Sequence, residues 1–103
     1  MAVYQFTTPT LKIMIPTRVS VGAFTSLAVT LKQGNRKLVK NLEEVDLDGE
    51  NNAINVYLTQ QETGIFSRGI VDVQCHILIG TEAYSTNEMK MEIKRNLHGE
   101  VIA

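Results

Sequence analysis

One cysteine, two histidines and no tryptophan leave few side chains in this 103-residue chain that could do chemistry. A nucleophilic site would need Cys75 beside an imidazole and a carboxylate. Cys75 shares the strand parity of Val73 and Ile77, whereas His76 points to the opposite side. A thiolate and an imidazole cannot meet on one face from adjacent strand positions, so Cys75 reads as a buried structural thiol. His76 and His98 are far apart in sequence and have no cysteine or further histidine near them, so zinc-ligand spacing is missing. Asp46-Leu47-Asp48-Gly49-Glu50-Asn51 loosely resembles a calcium loop. It lacks a third ligand before the glycine, and Tyr57 stands where the closing glutamate belongs. A turn in which Asp and Asn bond their own backbone accounts for these residues. The expectation is no catalytic residue, no metal and no cofactor.

Charged and aromatic residues add little chemistry. Gly34-Asn35-Arg36-Lys37 is basic and turn-forming but has neither the glycine spacing nor the following helix of a phosphate loop. Arg36, Lys37 and Lys40, with Lys32, make a cationic hairpin. Without interleaved aromatics it reads as a solvated hairpin whose lysines discourage edge pairing, and no nucleic-acid partner is expected. Glu43 and Glu44 are adjacent, whereas acid–base carboxylates face each other across a cleft. Tyr57 and Tyr84 point outward by parity and, with the turn around Asp48, support an alternative reading as a small carbohydrate- or cell-surface-binding module.

The elements that must position these residues have a period of two. Leu11, Ile13 and Ile15 alternate with Lys12 and Met14; Leu27, Val29 and Leu31 alternate with Ala28 and Thr30. Ile54, Val56 and Leu58 follow the same rule, as do Val71 through Ile79 and Met89, Met91 and Ile93. Such segments are half-buried antiparallel strands. Gly34-Asn35, Asp48-Gly49, Asn51-Asn52, Arg68-Gly69 and Gly80-Thr81 supply the turns between them. Shorter strands are expected at Tyr4–Thr7, Val19–Val21, Glu44–Leu47 and Glu82–Ser85. Pro9 and Pro16 bracket the first long strand, which therefore ends there or lies at an edge. Thr59-Gln60-Gln61-Glu62-Thr63-Gly64 has a threonine cap, a glutamate three residues on and a terminal glycine, the pattern of one short helical turn.

Ten basic residues against eleven acidic ones give a formal charge of -1, which excludes a strongly basic nucleic-acid binder as the default. A hydrophobic fraction of 44% is that of a globular domain. Thr7, Thr8, Pro9 and Thr10 occupy the place where the apolar core of a secretory signal would lie, and no run approaches the length of a membrane span. The expectation is therefore synthesis and folding in the cytoplasm, as a single domain over residues 1–103 with an edge segment at 1–9 and a tail at 96–103.

Apolar residues left over by the alternation mark where such a module would touch others. Val3, Tyr4 and Phe6 precede the core strands, Met14 and Leu78 sit on outward faces, and Val101 and Ile102 lie in the tail. These seven are the expected interface.

The order of motifs resembles a known group. A Thr8-Pro9-Thr10 opening, an apolar hairpin, the acidic Leu47-Asp48-Gly49 turn and Leu58-Thr59-Gln60-Gln61-Glu62-Thr63 come in sequence. After them come the long strand from Gly69 to Cys75 and a segment carrying Ser85-Thr86. Over roughly residues 10–95 this is similar to small immunoglobulin-like domains of phage and prophage structural proteins, such as the amino-terminal domain of baseplate upper proteins. The resemblance implies an all-β, antiparallel immunoglobulin-like β-sandwich of about 7–8 strands. It also implies a non-enzymatic tail, baseplate or head-neck module that contacts other virion proteins, forms homo-oligomers, and moves from the host cytoplasm into the particle. Baseplate domains continue into a further region, a departure that leaves the accessory role open.

Overall fold

The computed structural model describes residues 1–102, which form two sheets packed face to face around one core. In chain order the elements are β1 (Ala2–Tyr4), β2 (Thr10–Met14), β3 (Ser26–Gln33), β4 (Arg36–Asn41), β5 (Asp46–Asp48), β6 (Ala53–Tyr57), α1 (Gln60–Gly64), β7 (Gly69–Ile79), β8 (Glu82–Ser85) and β9 (Met89–Lys94). The larger sheet has the order β1-β9-β7-β3-β4, with β8 also on β7; the smaller is β2-β6-β5. The expected all-β sandwich is therefore present. β2, β6 and β5 take the places of immunoglobulin strands B, E and D, and β3, β7 and β9 those of C, F and G.

Alternation holds the sheets together. Leu11 and Ile13 of β2 and Ile54 and Val56 of β6 pack toward Leu27, Val29 and Leu31 of β3 and Val71, Val73 and Cys75 of β7. β7 is the spine: it pairs with β3 along one side and with β9 and then β8 along the other. Between β8 and β9, Thr86 takes over the ladder, its N–H donating to the Cys75 carbonyl at 2.9 Å and its hydroxyl accepting from the Cys75 N–H at 3.0 Å.

Several expectations need correction. Nine strands are present among the described residues, and one pair is parallel: β1 lies along β9 with Val3 opposite Ile93. Only Gln5 to Pro9 separate β1 from β2, and this short connection carries the chain from one sheet to the other. The first strand is Ala2–Tyr4 rather than Tyr4–Thr7, because Phe6 adopts a left-handed conformation (φ 58°) that ends it. Val19–Val21 is not a strand. The Asn52 side chain donates to the carbonyls of Ile15, Pro16 and Val19 and accepts from the Val21 N–H, which leaves this loop nothing to pair with. The acidic strand is Asp46–Asp48, starting two residues later than expected, after a 3₁₀ turn at Leu42–Glu44. The helical turn itself is where it was expected, with Gly64 ending α1 in ordinary dihedrals. Among the described residues no helix is long and apolar enough to cross a membrane.

Candidate interaction surface

α1 organises one end of the sandwich. Thr59 caps it, accepting from the Glu62 N–H at 3.2 Å, while the Glu62 carboxylate accepts from the Thr59 N–H at 2.9 Å. Thr63 is fully buried, and its hydroxyl accepts from the Thr7 N–H at 3.0 Å and donates to the Thr7 carbonyl at 2.8 Å. Gly64 lies under the Phe6 ring so closely that a Cβ there would come within 2.3 Å of a ring carbon. The Gln5 side chain donates to the Phe66 carbonyl at 2.8 Å, and Asn96 donates to the Gln5 carbonyl at 3.2 Å. The far end of the chain docks on the same turn. Gln60 accepts from the Ile102 N–H at 2.8 Å and donates to the Ile102 carbonyl at 3.2 Å, much as a neighbouring strand would.

The segment after β1 and the tail thus meet at α1, and this separates the seven expected interface residues. Phe6 and Ile102 are tied directly to α1; Val101 and Tyr4 adjoin them in sequence and remain exposed. Ile65 and Leu97, which the sequence reading passed over, are also exposed here, Leu97 by 93%. Val3 must be struck from the set, since it is 5% exposed and its side chain belongs to the core. Met14 lies on the outer face of the small sheet, in the row it shares with Ala53 and Asp48. Leu78 is half-buried in the large sheet, lining a shallow hollow of about 250 Å³ with Ser26, Ala28, His76 and Ala83. Ala103 of the expected tail lies outside the described residues.

The cationic hairpin divides. Lys40 is turned inward with 7% of its surface exposed, and its ammonium meets the Glu62 carboxylate at 2.6 Å. It is therefore not part of a solvated face. Its parity with Leu38 was the available signal. Arg36 stays outside and donates to the Ser67 hydroxyl, while the Gln33 amide donates to the Ser67 carbonyl and accepts from the Ser67 N–H, both at 2.7 Å. These bonds fix the β3–β4 turn to the segment after α1, and a cleft of about 590 Å³ with Arg36 and Arg68 on its walls lies between them.

Chemistry-bearing side chains are dispersed. Cys75 is fully buried in the core, and that burial pushes its thiol up to about 11, so it stays protonated at neutral pH. His76 is exposed on the large sheet and His98 is in the tail beside Glu100. The Asp48 carboxylate is engaged by its own turn, accepting from the Asn51 side chain at 2.7 Å and the Asn51 N–H at 3.1 Å. The Asn51 side chain first, then its backbone and Lys12, hold Asp48 below the usual carboxylate range. Among the described residues no three His, Cys, Asp or Glu side chains are grouped as a metal would need. Tyr57 belongs to the small sheet, where its hydroxyl meets Asp46 at 3.4 Å, whereas Tyr84 bonds Glu82 in the large sheet. The two tyrosines therefore do not form one platform.

No family model and no curated protein matches this chain. Among solved structures, the endo-β-1,4-mannanase from Thermotoga petrophila contains a region of similar fold, with a TM-score of 0.61 over 92% of this chain at 11% identity. The matched region is 17% of the mannanase chain, so what the two proteins share is a sandwich fold embedded in a much longer enzyme.

Proposed function

We propose that this chain is a non-enzymatic structural or assembly module that acts through protein–protein contacts, in the setting of a phage or prophage particle that the motif order suggests. The observation that supports it is the convergence of the segment after β1 and the tail on α1, with Ile65, Leu97 and Ile102 left exposed around them. Exposed apolar residues gathered at one end are what a contact surface needs, whereas scattered ones carry no message. In this reading the terminal end packs against neighbouring virion or assembly proteins, including further copies of the chain.

Sedimentation velocity tests the contact surface. The wild-type chain is expected to associate as its concentration rises, and Leu97→Asp with Ile102→Asp to weaken that association at least tenfold while leaving the melting temperature unchanged. A chain that stays monomeric at millimolar concentration at every salt concentration overturns the reading. For the particle setting, capsid or tail genes flanking the coding sequence are expected.

A further inference from the structure

The strand register gathers charge that the sequence keeps apart. Across the outer face of the large sheet, Lys37, Lys32, Asp72 and Lys90 stand opposite one another in a single row over β4, β3, β7 and β9. Toward the α1 end of the same sheet, Arg68 shares a crevice with Lys94, Arg95 and one carboxylate, Glu92, and Arg36 and Arg68 both line the 590 Å³ cleft. Seven of the chain's ten Lys and Arg residues thus lie on one region. Among the described residues no carboxylate lies within ion-pair distance of any arginine; the lysine pairs are Lys12–Asp48, Lys40–Glu62 and Lys90–Asp72. Ile70, about half exposed, lines the arginine cleft.

Part of the opposite charge is gathered elsewhere. Glu43, Glu44, Asp46, Asp48 and Glu50 are five of the eleven acids, and they follow β4 into β5, the free edge of the small sheet. All but Asp48 are exposed, and Leu47 among them is exposed as well. The acidic edge and the arginine cleft are different surfaces of one molecule, each with an exposed aliphatic side chain among its charges.

From this we infer that the arginine cleft receives the acidic Glu43–Glu50 edge of a second copy of this chain, with Arg36 and Arg68 pairing the Glu43 and Glu44 carboxylates. The inference rests on the assembly reading above and names one of its partners. Guanidinium groups suit the task because they bind carboxylates through two parallel bonds and are weakly hydrated. The contact joins unlike surfaces, so it repeats head to tail and gives rings or filaments rather than a closed two-fold dimer. Since the two surfaces attract by charge, association falls as salt rises, the opposite of an apolar contact.

The test is sedimentation velocity of the full chain across a salt series, with two charge-reversed variants. Wild type is expected to associate at about 20 mM salt and to be at least tenfold weaker at about 500 mM, beyond the range over which surface charges act. Arg36→Glu with Arg68→Glu, and separately Glu43→Lys with Glu44→Lys, are each expected to lose the salt-sensitive association and to keep only what the apolar end around α1 supports. An equimolar mixture of the two is expected to associate, because the first keeps a native acidic edge and the second a native arginine cleft. Circular dichroism melts check that each variant folds, and the wild-type salt series decides the matter if one does not. Association that salt strengthens or the reversals leave unchanged overturns the inference while the assembly reading survives. Monomeric wild-type chain that binds heparin through Arg36 and Arg68 also overturns it, assigning the cleft to a polyanion.

Discussion

The Lys40–Glu62 pair, 2.6 Å between ammonium and carboxylate, ties β4 to α1 from inside the sandwich. Burial tends to raise Glu62, but the hydrogen bond from Lys40, the Thr59 N–H and the charge of Lys40 outweigh it and hold the carboxyl below its ordinary range. Removing one partner leaves the other uncompensated, which costs about 3–5 kcal/mol for a fully buried pair. Glu62 keeps a fifth of its side chain exposed, so Glu62→Gln is expected to cost less, about 2 kcal/mol at pH 7. The sign of its pH dependence follows from a folded-state value below the unfolded one. The stabilisation is whole above about pH 4.5, the ordinary range of a glutamate, and fades as pH falls through the folded-state value. Urea melts from pH 3 to 7 should show the wild type and Glu62→Gln converging at the acid end. A constant gap across that range would rule the ion pair out as its cause. The inward parity of Lys40 with Leu38 was legible in the sequence, but its partner, on an element far along the chain, was not.

At the scale of elements, alternation was enough to place the long strands, because a period of two is imposed wherever one face is buried. It failed for segments too short to alternate. The three-residue β1 pairs parallel to β9, and nothing in Ala2-Val3-Tyr4 encodes that direction. It failed again at Val19–Val21, where a short strand was expected and none forms. There Asn52, itself left-handed at φ 50°, takes up four backbone groups: the Ile15, Pro16 and Val19 carbonyls at 3.2, 3.2 and 2.8 Å and the Val21 N–H at 3.0 Å. Turn residues marked this position as a turn, but not as the hub that organises a loop more than thirty residues earlier. Asn52→Ala strands those groups and places a Cβ without amide compensation in the left-handed region, so a loss of about 2–3 kcal/mol is expected. Asn52→Gly removes the same bonds without the conformational penalty and should recover roughly 1 kcal/mol of that loss. Equal losses for the two variants in urea denaturation would mean that the dihedral contributes nothing.

Across the whole molecule, the segment after β1 and the tail meet at α1, but the two ends of the chain are held in different ways. The first five residues are part of the sandwich. Val3 is 5% exposed, the Glu92 N–H donates to the Met1 carbonyl at 2.8 Å and the Gln5 N–H to the Lys94 carbonyl at 2.9 Å. Burying a valine alone is worth about 1.5–3 kcal/mol, and β1 also closes one edge of the large sheet. The tail contributes mainly the Gln60–Ile102 bonds, with Leu97 93% exposed. Exposed hydrogen bonds of this kind add about 1 kcal/mol or less. Deleting residues 1–5 is therefore expected to lower the unfolding free energy by about 3 kcal/mol or more, a large share of the roughly 5–15 kcal/mol of a typical domain. Deleting residues 97–103 should change it by less than about 1 kcal/mol. Urea denaturation of both truncations checks this, and equal losses would contradict the division. Because a stretch whose removal leaves the fold intact is free to serve a contact, the tail and the exposed side chains around α1 can be altered to probe assembly. Cutting away the first strand would report on folding instead.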